Sequence, residues 1–178
     1  LDEVETRGLR VEAILLTHAH LDHIDGLAEA QRQTEAPVYL HPADRMLFDN
    51  AASQAAMFGV PFETPEPPDH ELVPGETLVV GGESFDVRFA PGHAPGHVIF
   101  VSKSSPVALV GDVIFAGSIG RTDLPGGDYQ ELMNSIRSQV LTLPKETQLF
   151  TGHGPATTVE HEGRTNPFVI PLYGGEFA

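Results

Sequence analysis

The chain has 178 residues, 40% of them hydrophobic and 7% aromatic, enough for one domain (1–178) with a sizeable core. Its formal net charge is −15, from 25 acidic and 10 basic residues, so it lacks the basic footprint that would neutralise nucleic-acid phosphates. There is no cysteine, which excludes disulfides, thiolate metal sites and a cysteine nucleophile and fits a cytoplasmic protein, and no apolar run is long enough to span a membrane.

In chain order, Val4–Leu9 reads as the tail of a helix stopped by Gly8. Val11–Leu16 reads as a buried strand, and the pattern then changes abruptly. Thr17-His18-Ala19-His20-Leu21-Asp22-His23 packs three imidazoles and a carboxylate into six positions. His18 and His20 alternate as on extended backbone and can point to one side, while Asp22 and His23 fall where the chain should turn into a helix and face a second point. Imidazole and carboxylate at this density suit a borderline divalent metal such as zinc.

Asp22–Gln33 is expected as a helix with Leu27 and Ala30 on its inner face. Pro37–Leu40 follows as a short strand, and His41-Pro42 opens a helix to about Asn50. Ala51–Glu71, carrying Pro61, Pro65, Pro67 and Pro68, is expected as a long irregular stretch of the kind that forms lids. Strand patterns recur at Thr77–Val80, Ser84–Ala90, His97–Ser102 and Val107–Val110, with a Gly81-Gly82-Glu83-Ser84 turn. Asp128–Leu141 is a helix with Leu132, Ile136 and Val140 every four residues, ended by Pro144. Gln148–Thr151 is a last strand, and Gly152-His153-Gly154-Pro155 a loop. Strands alternating with helices around a central meander predict a layered α/β domain.

Three more candidate ligands stand at strand ends, where sheets commonly present functional groups. His93 lies in the tight turn Pro91-Gly92-His93-Ala94-Pro95-Gly96-His97, Asp112 follows the apolar strand at Gly111, and His153 lies in Gly152-His153-Gly154.

In order, T-H-x-H-x-D-H, P-G-H-x-x-G-H, G-D and G-H-G resemble the metallo-β-lactamase superfamily along essentially the whole chain. Within it the chain looks most like the glyoxalase II group (hydroxyacylglutathione hydrolases) of short bacterial type. Its members carry segments similar to Gly120-Arg121-Thr122-Asp123-Leu124-Pro125-Gly126 and Arg164-Thr165-Asn166-Pro167-Phe168. The resemblance implies a four-layer αββα sandwich, here lacking the first N-terminal strands and the C-terminal helical extension of the longer members. It implies that His18, His20 and His93 bind one divalent metal and Asp22, His23 and His153 a second, with Asp112 bridging. Zinc is the first expectation for both, with iron or manganese as alternatives. His97 has no ligand role in that pattern and is expected to be structural, while His41, His70 and His161 match no ligand position.

The implied activity is hydrolysis of a small-molecule thioester such as S-lactoylglutathione, or of an ester, through a metal-bridging hydroxide, with Asp22 and Asp112 as catalytic residues. Glutathione-using members place Lys and Tyr after the bridging Asp, where this chain has Arg121 and Asp123. Arg121 and Arg164 are the candidate contacts for an anionic substrate. Two alternatives share the fold: a persulfide dioxygenase with a single iron, and a lactonase or other ester hydrolase. Dioxygenases of the first kind typically have Asp after the last histidine, where Gly154 stands here.

Overall fold

A computed structural model describes residues 1–170 and divides the chain into two compact units, Leu1–Val73 and Pro74–Ala178. The first unit opens with helix α1 (Asp2–Thr6), which ends through Arg7 and a left-handed Gly8. Strand β1 (Ile14–Leu15) is shorter than the apolar run around it, because only its end meets a partner strand. The helix expected over Asp22–Gln33 is two helices, α2 (Leu21–Ile24) and α3 (Leu27–Thr34), separated by Asp25-Gly26. The break rotates the inner face, so that Leu27 and Ala28 are buried and Ala30 is only half-buried.

Strand β2 (Val38–Leu40) lies between β1 and β3 (His70–Glu71) in an all-parallel sheet, with Leu15 opposite Tyr39 and Tyr39 opposite His70. A tight turn, Pro42–Asp44, leads into α4 (Arg45–Asp49). His41 accepts the Ala43 N–H at 3.3 Å and so caps this turn. The first part of the stretch expected to be irregular is a helix, α5 (Ala51–Phe58), which buries Ala51 and Ala55 and ends at the left-handed Gly59. Its alanine-rich sequence carries no proline before Gly59, and the four prolines that suggested a loop all lie beyond it.

The second unit holds a mixed sheet in the order β11-β10-β7-β6-β5-β4. Its strands are β4 (Thr77–Val80), β5 (Glu83–Phe89), β6 (Val98–Ser102), β7 (Val107–Gly111), β10 (Gln148–Thr151) and β11 (Thr157–Thr158). A small hairpin, β8 (Ile114–Phe115) with β9 (Ser118–Ile119), follows β7 directly. Helix α6 (Tyr129–Ser135), capped by Asp128, continues as a wider turn over Ile136–Val140, and α7 (Val159–Thr165) closes the order. The core joins Ile99, Ala108, Val110 and Leu149 from the sheet to Leu132, Met133, Ile136 and Val140. Each large apolar side chain buried here contributes roughly 1.5–3 kcal/mol.

The topology of this unit decides where its chemistry lies. β7 and β10 are parallel and β6 is antiparallel to both its neighbours. The ends of β5, β7 and β10 and the start of β6 therefore share one sheet edge. The residues just beyond them are His93, Asp112, His153 and His97. Among the described residues, no helix is long and apolar enough to cross a membrane.

Candidate functional site

In the first unit the donors sit on the loop from β1 into α2. His18 and His20 are buried, with ring centroids 4.8 Å apart and planes near perpendicular. The His18 and His23 rings lie 4.1 Å apart and tilted. Extended backbone at His20 ends the strand-like segment, and the turn of α2 swings Asp22 and His23 onward, with His23 Nε2 3.9 Å from Asp22 Oδ2. A ligand atom of His18 lies within 4.8 Å of one on His20 and of one on His23. The expected division between an extended pair and a helical pair is present.

A buried carboxylate holds this loop. Asp44 is fully buried, and its Oδ2 accepts the Ala19 N–H at 2.8 Å. That amide lies between the two histidines. Parallel pairing of β1 and β2 brings the turn after β2 beside the loop after β1. Sequence reasoning missed Asp44, because a lone Asp in His41-Pro42-Ala43-Asp44 reads as an ordinary turn residue.

In the second unit the Asp112 carboxylate lies between two imidazoles. Its Oδ2 is 3.6 Å from His93 Nε2 and 3.4 Å from His153 Nε2. His93 and Asp112 are buried, while His153 is exposed. His93 Nδ1 lies 2.8 Å from the Arg121 carbonyl oxygen, which can only accept, so Nδ1 carries the proton. In the neutral ring the Nε2 lone pair then faces a carboxylate oxygen. A cation between the two groups resolves that opposition. The spacing also suits one, since two ligands roughly 2.0–2.1 Å from a tetrahedral metal stand about 3.3 Å apart. The donor set therefore fits a divalent metal.

Local backbone requirements fix these positions. Gly92 has φ of 120°, and a Cβ there would lie 2.1 Å from the Leu132 backbone nitrogen, so the His93 turn lies directly against α6. Ser135 Oγ donates to the Pro91 carbonyl at 2.7 Å, and the Asp128 N–H donates to the Gly92 carbonyl at 2.8 Å. A Cβ on Gly120 would lie 1.9 Å from the Asp112 carbonyl oxygen. A register shift between Phe150 and Thr151 aligns Thr151 with Gly111 and sets His153 beside Asp112. His97 is fully buried and its Nε2 accepts the Asp112 N–H at 3.1 Å, the structural role expected of it.

The two arginines are engaged within their own segments. Arg121 pairs with Asp123 through two bonds of 2.7 and 2.8 Å, which hold the Asp123 carboxyl down to about 2. Arg164 pairs with Glu160 at 3.2 Å and borders a surface cavity together with Lys145 and Leu141. Of the other histidines, His70 stacks on Tyr39 with centroids 4.7 Å apart, and burial lowers the pKa of His41 while Glu71 raises it.

The sequence profile described as "Metallo-beta-lactamase superfamily" matches residues 1–153. The chain is 41% identical over 167 residues to the "Probable metallo-hydrolase YqgX" of Bacillus subtilis (strain 168), covering 93% of this chain and 79% of that protein. It is 37% identical over 171 residues to the "Hydroxyacylglutathione hydrolase GloC" of Haemophilus influenzae, covering 95% and 81%. Among solved structures, "BLEG-1 B3 metallo-beta-lactamase" superposes with a TM-score of 0.88 at 40% identity, covering 94% of this chain and 81% of that one. "TTHA1623 in a di-iron-bound form" superposes with a TM-score of 0.87 at 43% identity, covering 94% and 82%. These likenesses assign the α/β metallo-β-lactamase fold class.

Proposed function

The chain belongs to the metallo-beta-lactamase superfamily and is a metal-dependent hydrolase, and we propose that seven side chains hold its metals. In this reading His18, His20 and His93 take one divalent ion, Asp22, His23 and His153 take a second, and Asp112 serves both. The observation that carries it is Asp112 Oδ2, 3.6 and 3.4 Å from two imidazole nitrogens. The order of the four motifs supports joining the donors of both units into one set. An all-nitrogen-and-oxygen ligand set admits zinc, iron or manganese. Zinc is the first candidate, and the di-iron form of a 43% identical protein makes iron the second.

When bound in such a set, divalent ions supply an acidified water and polarise the carbonyl to be attacked. The protein's own groups do the rest. Asp112 fixes the spacing of His93 and His153 through its carboxylate. The Arg121 carbonyl keeps the proton of His93 on Nδ1 and so presents Nε2 as a ligand. Asp22, with its side chain 61% exposed, would orient the nucleophile through its free carboxylate oxygen. Arg121 and Arg164 are the proposed contacts for an anionic substrate, each having to share its guanidinium with a neighbouring carboxylate.

For the bond cleaved, an ester other than a glutathione thioester, lactones included, has the stronger support. A protein named as a metallo-beta-lactamase, a name that denotes cleavage of a cyclic amide, is 40% identical to this chain, so its relatives do not all point to a glutathione thioester. The Arg121–Asp123 pair also stands where glutathione-using members carry Lys and Tyr. The thioester reading is second, resting on GloC over 95% of the chain. The test is a panel of lactones, simple esters and S-lactoylglutathione given to metal-loaded protein, with a chelated control and oxygen uptake measured on glutathione persulfide. Chelator-sensitive hydrolysis fastest on lactones or esters is expected. Fastest release of glutathione would restore the thioester reading, and oxygen uptake without hydrolysis would point to persulfide oxidation.

A further inference from the structure

Beyond His153, on α7 and at its C-cap, Glu162 and Asn166 lie one helical turn apart, and both are fully buried. Glu162 Oε1 accepts from Thr157 Oγ1 at 2.5 Å. Its Oε2 accepts from the Gly117 N–H at 2.9 Å and from Asn166 Nδ2 at 2.7 Å. Asn166 Nδ2 also donates to the Ser118 carbonyl at 2.9 Å, and Asn166 Oδ1 accepts the Phe168 N–H at 3.0 Å. This carboxylate–amide pair therefore grips two separate pieces of chain, the β8–β9 turn and β11.

Both pieces lead to proposed metal ligands. The hairpin begins two residues after Asp112 and runs into Gly120 and Arg121, whose carbonyl holds His93. β11 pairs with β10, whose end carries His153, and the Phe115 ring of the hairpin lies 6.0 Å from the His153 ring. Withdrawing a carboxylate from water is costly, and apolar packing alone would join a hairpin to a helix more cheaply. Directional bonds at both ends do what apolar packing does not: they tie the hairpin and β11 to α7 at defined atoms.

We propose that Glu162 and Asn166 are positioning residues which hold Asp112, His93 and His153 at metal-binding spacing. The proposal rests on the ligand assignment above. Groups that orient ligands without touching the metal typically cost about 10–100-fold in metal affinity when removed. Asn166→Ala should fall in that range, and Thr157→Val, which strips one bond from Glu162, should lose roughly 10-fold or less. Thr157→Ser keeps the hydroxyl and should bind as the parent does.

The experiment is a competitive titration of the whole chain with cobalt(II) against a chelator, read by the cobalt absorption spectrum, with circular dichroism to confirm folding. His153→Ala is carried alongside. Weaker binding and an altered spectrum in folded Asn166→Ala and Thr157→Val, with Thr157→Ser unchanged, is the expected result. Parental affinity and spectrum in both, with only a lower melting temperature, would reduce the pair to a structural role and overturn the proposal. Should Asn166→Ala fail to fold, the Thr157→Val and Thr157→Ser pair decides by the same readout. Unchanged affinity in His153→Ala would instead overturn the ligand assignment, and the positioning role with it.

Discussion

Four of the proposed ligands come from six consecutive positions of the first unit, whereas the three in the second stand at positions 93, 112 and 153. In the first unit local backbone does most of the aiming. The chain leaves β1 extended, turns into α2, and one buried carboxylate, Asp44, steadies the middle of the loop. In the second unit aiming is collective. Parallel pairing of β7 and β10, a register shift, two close-packed glycines and a main-chain carbonyl each set one coordinate. A locally encoded group tolerates change elsewhere in the chain, while a collectively encoded one is exposed to substitutions at a distance. The two should fail differently.

The sharpest break in the comparison is at Asp112, the group that touches both halves of the second set. Asp112→Ala should abolish turnover and lower metal content while the protein still melts cooperatively. Retained turnover would remove Asp112 from its role. Gly120→Ala comes next, since the new Cβ would meet the Asp112 carbonyl at 1.9 Å and force the backbone to move. A stability loss of about 1–3 kcal/mol is expected by denaturant titration, together with weaker metal binding. A fully parental metal affinity would show that the hairpin does not set the position of Asp112.

Asp44→Ala probes the first unit in the same way. It leaves the buried Ala19 N–H without its carboxylate acceptor, for about 1–3 kcal/mol in a chemical denaturation curve. Metal affinity should fall less than in Gly120→Ala, because α2 still orients Asp22 and His23 locally. A larger fall than in Gly120→Ala would reverse the contrast between the units. The smallest effect concerns Asp123, whose exposed carboxyl is held down to about 2, first by the Arg121 hydrogen bonds. With a folded value below the unfolded one, the pair's contribution is present above the ordinary carboxylate range and is lost as pH falls through about 2. Carboxyl NMR titration should find that value near 2 in the parent, while an ordinary carboxylate value would show that the pair does not form in solution.

The contrast also explains what could be read from sequence. Dense donors at mixed spacing stand out in any chain, so the His18–His23 cluster was legible alone. Asp112 and His153 were legible because each follows an apolar strand, and β7 and β10 do end beside one another. The turn and helix details were less so. α5 was hidden by prolines that begin only after Gly59, and the Asp25-Gly26 break in the long helix left no stronger mark than a single glycine. Asp44 and Glu162, and the buried role of Asn166 within its family-like segment, were missed for a common physical reason. A polar residue on a short helix or turn reads as solvated, and only long-range packing makes it buried and directional.

The central claim is that the two donor groups hold two metal ions through Asp112. Electron paramagnetic resonance of the cobalt(II)-loaded chain, beside its metal stoichiometry, tests it most directly. Two ions per chain with spin-coupled signals that become uncoupled or vanish in Asp112→Ala are predicted. One ion per chain, or two uncoupled ions in the parent, would contradict it.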